Sequence, residues 1–292
     1  MPDGCSEELL TEILDSTRIS DDVFAAAYEK CGDDGRAVIK STIASLYNYY
    51  PPMPEVEQSS TTQGGVIWSS RSTSRPYCLL VLEGKTPDAP LVLASLIPAM
   101  TAGIKDVYVV RLVTEGQAEP EWSAELLAAF ELAGVENVHS MNRSQLEVVA
   151  EHLSVCAPGG VVLSFGEYVS TLVEGFFTRR SVLHKNLPVS PTLWIWSEDD
   201  LSLRKDIIEQ FYQSTIVEWC AEDKEKFLFS LTNNPDAIMI NDEIECFKCQ
   251  GLNLDVIPLV FGRGMEGRWL WPDITSEFFR TSRCYLSIIE TI

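Results

Sequence analysis

Positive charge and long apolar runs are the two features that this sequence has least of. It carries 22 lysines and arginines against 43 acidic residues, a formal net charge of −21 at pH 7. Such a surface repels phosphate backbones and anionic lipids, so neither nucleic acid nor a membrane surface is expected as a partner. No stretch approaches 18 uninterrupted apolar residues, which argues against a membrane span. Residues 1–8 are acidic and polar, unlike a secretory signal, so the sequence predicts a cytoplasmic protein.

The sequence also lacks the regular cysteine spacing of a disulfide framework. Its eight cysteines are scattered, and in a cytoplasmic protein they are typical of small buried apolar residues. Cys246 and Cys249 form a C-x-x-C pair, the spacing of a zinc knuckle or a redox pair. No second pair of cysteines or histidines supplies further ligands. Structural thiols are the simplest interpretation, and a metal or redox module at Cys246 and Cys249 is the alternative.

The spacing of apolar residues divides the chain into two parts. Residues 1–62 are predicted to form a helical N-terminal segment, with Ser6 and Ser20 as N-cap candidates. Prolines at 51, 52 and 54 end this segment, and residues 59–65 are predicted to be a polar connection. Residues 63–292 are predicted to form a Rossmann-like α/β domain with an apolar C-terminal tail from Trp269.

Within the second part, buried-type strands alternate with helices. This alternation predicts an α/β fold with a doubly wound, mostly parallel sheet. The predicted strands cover residues 77–82, 106–113, 137–141, 161–164, 192–196, 237–240 and 254–261. The predicted helices cover residues 91–101, 121–133, 144–156, 168–182 and about 201–220.

Several stretches follow one another in the order and rough spacing of a known family. They are Leu-Glu-Gly-Lys at 82–85, Ile-Pro-Ala-Met-Thr-Ala-Gly-Ile-Lys at 97–105, Leu-Ala-Ala-Phe-Glu-Leu-Ala-Gly-Val at 127–135 and Ser-Phe-Gly-Glu-Tyr-Val at 164–169. The region from Tyr77 to about Gln213 resembles the cofactor-domain half of histidinol dehydrogenase, a family with the aldehyde-dehydrogenase-like fold. The resemblance implies that fold, NAD as cofactor and a homodimer.

By this resemblance, Gly84, Lys85, Gly166 and Tyr168 would lie beside a bound NAD. The family has a second glycine and a proline before the residue at Gly84, where this chain has Glu83 and Leu82. A carboxylate at that turn would repel a pyrophosphate, and the glycines of such turns normally let the backbone approach it. The family's Gly-Pro-Gly-Asn is also altered, to Ser-Phe-Gly-Glu at 164–167.

The family's zinc and proton-transfer residues are mostly missing. Its zinc-binding helix corresponds to residues 206–213, where Gln210 stands at the position of the glutamine ligand and Gln213 replaces the histidine ligand. An amide oxygen is a poor substitute for imidazole, so zinc is not expected. The family's later Glu–His pair has no counterpart, and histidinol dehydrogenase activity is therefore not expected.

Residues 262–267, Gly-Arg-Gly-Met-Glu-Gly, match the G-x-G-x-x-G pattern of a phosphate-binding loop. Such a loop must open a helix whose N-terminal amides bind the phosphate. Trp-Leu-Trp-Pro follows at 269–272 instead. The motif is therefore predicted to be a turn.

Three functions remain open. The favoured one is a divergent member of the fold that acts as a non-catalytic ligand-binding or interaction protein, with a small-molecule ligand as one partner. The second is an NAD(P)-dependent oxidoreductase of a small alcohol or aldehyde, with Glu83, Glu167 or Tyr168 as acid–base groups. The third is the cysteine module named above. The apolar tail from Trp269 predicts a homodimer interface.

Overall fold

The computed structural model describes residues 4–62, 66–84, 86–114, 121–177, 181–197, 203–212, 215–220, 227, 235–240 and 257–288. The α-helices among these residues are α1 (Gly4–Thr17), α2 (Asp21–Tyr49), α3 (Ala89–Thr101), α4 (Ala124–Ala133), α5 (Arg143–Ser154), α6 (Glu167–Phe176) and α7 (Lys205–Phe211). The strands are β1 (Val56–Thr61), β2 (Val66–Ser74), β3 (Tyr77–Leu82), β4 (Asp106–Leu112), β5 (Asn137–Met141), β6 (Val161–Phe165), β7 (Leu183–Leu187), β8 (Thr192–Ser197), β9 (Thr215–Cys220), β10 (Ala237–Ile240), β11 (Val260–Phe261) and β12 (Arg280–Ile288).

A five-stranded parallel sheet forms the centre of the molecule, in the order β5-β4-β3-β6-β7. Every residue of β3 is buried because helices cover both faces of the sheet. The apolar side chains of α2, α3 and α4 pack on one face, and those of α1, α5 and α6 pack on the other. The prediction of an α/β fold with a doubly wound parallel sheet and a helical N-terminal segment is confirmed.

Two smaller sheets complete the fold. Strands β11, β10, β8 and β9 form a second parallel sheet, in that order. Strands β1, β2 and β12 form an antiparallel sheet, in which β12 pairs with β2 along nine residues.

Four predicted element boundaries differ from the structure. The helix predicted over about 201–220 ends at Phe211, and Thr215–Cys220 is strand β9, whose β-branched and aromatic residues favour a strand. The helix predicted over 168–182 ends at Phe176, and the polar edge strand β7 follows. The polar connection predicted at 59–65 overlaps the exposed strand β1. Of the strand predicted over 254–261, only Val260–Phe261 is strand among the described residues.

The first half of the apolar tail belongs to the core of the chain. Trp269, Trp271, Ile274 and Phe279 are buried. The 3-10 helix Ser276–Phe279 then leads into β12, whose first residue, Arg280, is also buried. No helix in the described ranges is long and apolar enough to cross a membrane.

Arg280 joins the antiparallel sheet to the rest of the molecule. Its guanidinium donates to the carbonyl oxygens of Met53 (3.3 Å), Pro54 (2.9 Å), Ala102 (3.0 Å) and Ser72 (2.8 Å), and to Oγ of Ser72 (3.1 Å). The buried guanidinium of Arg280 thus satisfies four backbone carbonyl groups at once, and these groups would lose a hydrogen-bond donor without it.

Candidate functional site

The crevice between β3 and β6 is the candidate site. The two strands are neighbours and run parallel, so the residues that follow them, Glu83 and Gly166, leave the sheet at the same edge. The amide of Glu83 donates to the carbonyl of Phe165 at 3.1 Å, which fixes the two exits side by side. The connection that leaves β3 leads to β4 on one side of this point, and the connection that leaves β6 leads to β7 on the other. In open α/β sheets, ligands bind in the crevice at such a switch point.

The side chain of Glu83 lies across Gly166. Gly166 has φ 116° and ψ 143° and is the residue that precedes α6. A Cβ atom built on it would lie 1.9 Å from Oε2 and 2.9 Å from Cβ of Glu83. Glycine is needed here both for the positive φ and for the space that the glutamate side chain occupies.

Negative charge therefore collects where α6 begins. The partial positive charge of a helix N-terminus normally attracts a ligand's phosphate. Here the carboxylate of Glu83 is already in contact with Gly166, and Glu167 adds a second carboxylate in the first turn. Two carboxylates at this end of the crevice oppose a pyrophosphate, so the residues present do not fit the diphosphate of NAD.

A polar network lies beside this crevice, between the edge strand β7 and α6. The hydroxyl of Ser164 donates to Oδ1 of Asn186 (3.2 Å) and is 2.9 Å from Nε2 of His184. Nδ1 of His184 is 3.5 Å from a carboxylate oxygen of Glu174, and Nδ2 of Asn186 donates to Glu167 at 3.2 Å. The network ties β7 to both ends of α6.

Burial controls the chemistry of this network. Desolvation lowers the pKa of His184, and the charge of Glu174 opposes that shift. Ser164 is fully buried, so its hydroxyl is not accessible to a substrate. Together the two observations assign the network to holding the edge strand against α6. The sequence does not predict this network, because it predicts a helix over 168–182 and no strand after it. Residues 183–187, Leu-His-Lys-Asn-Leu, contain three consecutive polar residues and lack the alternation that indicates a strand.

The other residues predicted to lie beside a cofactor differ in their exposure. Gly84 is exposed, and a Cβ built on it would meet nothing within 4 Å, so this position does not require glycine. Tyr168, in the first turn of α6, is 56% exposed and its ring is open to a ligand. Lys85 lies outside the described residues.

Of the predicted metal ligands, Gln210 alone lies within the described residues. Gln210 lies near the end of α7, where its Nε2 would be 3.0 Å from a Cβ built on Gly35 of α2. Cys246, Cys249 and Gln213 lie outside the described residues. Among the described side chains, no group of three or more His, Cys, Asp or Glu could hold a metal ion.

The Gly262–Gly267 motif does not open a helix. Gly264 and Gly267 have φ angles of 79° and 76°, and irregular backbone continues to the 3-10 helix at Ser276. A phosphate-binding loop depends on the amides of the helix that follows it. The geometry is that of a turn, and the loop lines a cavity beside α2.

Comparison with known proteins supports the fold. The chain matches no protein-family profile and no curated protein. Among solved structures it is similar to histidinol dehydrogenase from Elizabethkingia anophelis, with a TM-score of 0.55 and 14% identity over 93% of this chain and 77% of that one. It is also similar to an NAD-dependent benzaldehyde dehydrogenase from Corynebacterium glutamicum, with a TM-score of 0.50 and 11% identity over 97% of this chain and 83% of that one. The chain has the fold of the aldehyde and histidinol dehydrogenases.

Proposed function

We propose that this chain is a divergent histidinol-dehydrogenase-like protein that acts as a non-catalytic ligand-binding or interaction protein. The observation that carries the proposal is the position of Glu83 against Gly166, in the crevice where dinucleotides bind to sheets of this kind. The replacement of a histidine ligand by Gln213 supports it further.

A thermal-shift titration of the full chain with NAD, NADH, NADP and zinc tests the proposal. A ligand at about 100 times its Kd raises the free energy of unfolding by about 2.7 kcal/mol, which is easily detected. We expect no shift with the wild type. A clear shift with any dinucleotide would contradict the proposal.

The variant Glu83→Ala tests whether the carboxylate is the cause. Removing one charge near a pyrophosphate is worth up to about 4 kcal/mol at 4 Å for an effective dielectric constant of 20, and less in an open crevice. We expect a dinucleotide-dependent shift to appear in Glu83→Ala. Glu57→Ala makes the same charge change on the exposed strand β1 and is the matched control. Equal behaviour of the two variants would remove Glu83 from the argument.

The second candidate function is an NAD(P)-dependent oxidoreductase acting on a small alcohol or aldehyde. It is favoured by the positive φ of Gly166 at the start of α6, which leaves helix amides facing the crevice, and by the exposed ring of Tyr168. It requires the side chain of Glu83 to leave Gly166. The formation of NADH from NAD with a panel of small alcohols and aldehydes would support this function over the first.

We further propose that two copies associate through β12. Tyr285, Leu286 and Ile288 are 57%, 73% and 74% exposed. Within the described part of the chain, β12 pairs with β2 on one edge and with no strand on the other. A second β12 running antiparallel would pair with that edge and place Leu286 and Ile288, which share one face of the strand, beside the apolar side chains of the partner strand. Trp269, where the predicted interface began, is instead buried in its own chain.

A cytoplasmic location is part of the same proposal. Cys31, Cys78, Cys156 and Cys284 are free thiols in the structure. Burial raises the pKa of Cys78 to about 12, so this thiol stays protonated and unreactive. Thiols of this kind are typical of a reducing compartment.

A further inference from the structure

A second cavity, remote in sequence from the sheet crevice, lies between the C-terminal half of α2 and residues 259–270. Its volume is about 520 Å³, within the range of small-molecule sites. Most of its wall is apolar, and the residues that carry the argument are Ser45, Leu46, Leu259, Phe261, Arg268 and Trp269.

The walls of this cavity are held in place by contacts across it. The hydroxyl of Thr42 donates to the carbonyl of Gly267 at 2.8 Å. A Cβ built on Gly267 would lie 2.5 Å from Cγ1 of Val38, so this glycine lets the Gly262–Gly267 loop pack closely on α2. The hydroxyl of Tyr212 donates to the carbonyl of Arg268 at 2.5 Å. The cavity is therefore formed before any ligand enters, which lowers the entropic cost of binding.

Trp269 contributes its aromatic ring to the wall. It is 1% exposed, and the rings of Phe261 and Trp271 pack around it, with centroids 6.0 and 5.5 Å away. Its indole Nε1 is fully buried, so a ligand in the cavity contacts the ring and not this donor.

The charged group in the wall is a cation. Arg268 is half-buried, and its guanidinium donates to Oγ of Ser41 (3.0 Å) and contacts Sδ of Met265 (2.7 Å), both neutral. In a chain with a net charge of −21, no carboxylate of a described residue forms an ion pair with it. A guanidinium whose partners are neutral favours a carboxylate ligand, which it can bind through two hydrogen bonds.

We propose that this cavity binds a small carboxylic acid with an aliphatic body. The carboxylate lies against Arg268, and the aliphatic chain packs on Leu46, Leu259 and Phe261. This ligand class deepens the proposed non-catalytic role. The cavity shares no residue with the β3–β6 crevice. The outcome of the dinucleotide titrations is therefore independent of the outcome of the experiment below.

Isothermal titration calorimetry of the full chain with octanoate, octan-1-ol and octylamine tests the proposal. The three probes share one aliphatic chain and differ in the charge of the head group. We expect saturable binding of octanoate with a Kd below about 1 mM, and a Kd at least about tenfold higher for octan-1-ol and octylamine. Absence of octanoate binding up to about 5 mM, or equal binding of octan-1-ol, would overturn the proposal.

Two variants locate the binding. Arg268→Gln removes the charge and is expected to weaken octanoate binding about tenfold while leaving octan-1-ol binding unchanged. Ser45→Trp fills the cavity without altering Arg268 and is expected to abolish octanoate binding, and it tests the site even if Arg268→Gln fails to fold. Wild-type affinity in a folded Ser45→Trp protein would place octanoate elsewhere and refute the site.

Discussion

The contact between Glu83 and Gly166 can be tested by a double-mutant cycle. Gly166→Ala forces a side chain into a positive φ, at a cost of about 2 kcal/mol, and overlaps Glu83, at a cost of about 2 kcal/mol more. In the Glu83→Ala background the overlap with the carboxylate disappears and only the 2.9 Å approach of the two Cβ atoms remains, so Gly166→Ala should then cost about 2–3 kcal/mol. The expected coupling energy is therefore about 1–2 kcal/mol.

Chemical denaturation of the four proteins measures this coupling, and thermal melts check it. At about 2–4 °C per kcal/mol, the single variant Gly166→Ala should melt about 8–16 °C below the wild type. Gly134→Ala is the matched control, since Gly134 has φ 76° and a Cβ there meets nothing within 4 Å. Its cost should be the same with either residue at position 83. Additive effects of Gly166→Ala and Glu83→Ala would show that Glu83 does not lie on Gly166, and the proposed block of the crevice would lose its basis.

Three further outcomes are expected. Arg280→Met should lower the free energy of unfolding by about 3–5 kcal/mol in chemical denaturation, because four backbone carbonyls lose a buried charged donor. The control Arg71→Met breaks an exposed ion pair and should lower it by less than about 1 kcal/mol. Equal losses in the two variants would refute the role of Arg280. Leu286→Glu should abolish dimers in analytical ultracentrifugation without changing the melting temperature of the monomer, and a dimer that survives would exclude β12 as its interface. Burial lowers the pKa of His139 from 6.5 to about 4, so as the pH falls the unfolded chain takes up a proton at this histidine before the folded chain does. Up to about 3 kcal/mol of the free energy of unfolding is therefore lost between pH 6.5 and pH 4. In His139→Gln this loss should be smaller by the same amount, and an unchanged pH dependence of stability would contradict the shift.

The sequence was informative where one local signal sufficed. The uninterrupted apolar run Tyr77–Leu82 predicted a strand buried on both faces, and Gly134 predicted the end of α4, which it caps with a positive φ. The repetition of such signals predicted the α/β class. Each of these features depends on residues that are neighbours in the chain.

Strand β7 and the site depend on residues that are distant in the chain. Strand β7 is polar because it lies at the sheet edge, and a polar stretch after a helix does not distinguish an edge strand from a continuing helix. Glu83 was suspected of repelling a phosphate from its charge alone. Its position on Gly166 depends on the pairing of β3 with β6, which no local pattern reveals. The network of Ser164 with His184 has the same origin.

The pairing of β2 with β12 has a consequence for synthesis of the chain. Ser74 pairs with Arg280, so about 200 residues separate the two strands. At the usual speed of translation, β2 emerges from the ribosome roughly 10–40 s before its second partner. During that interval β1 and β2 form at most an isolated hairpin, which is marginally stable in water, and one edge of β2 is unpaired. The nascent hairpin is therefore a part of this protein that we expect chaperones to protect during translation.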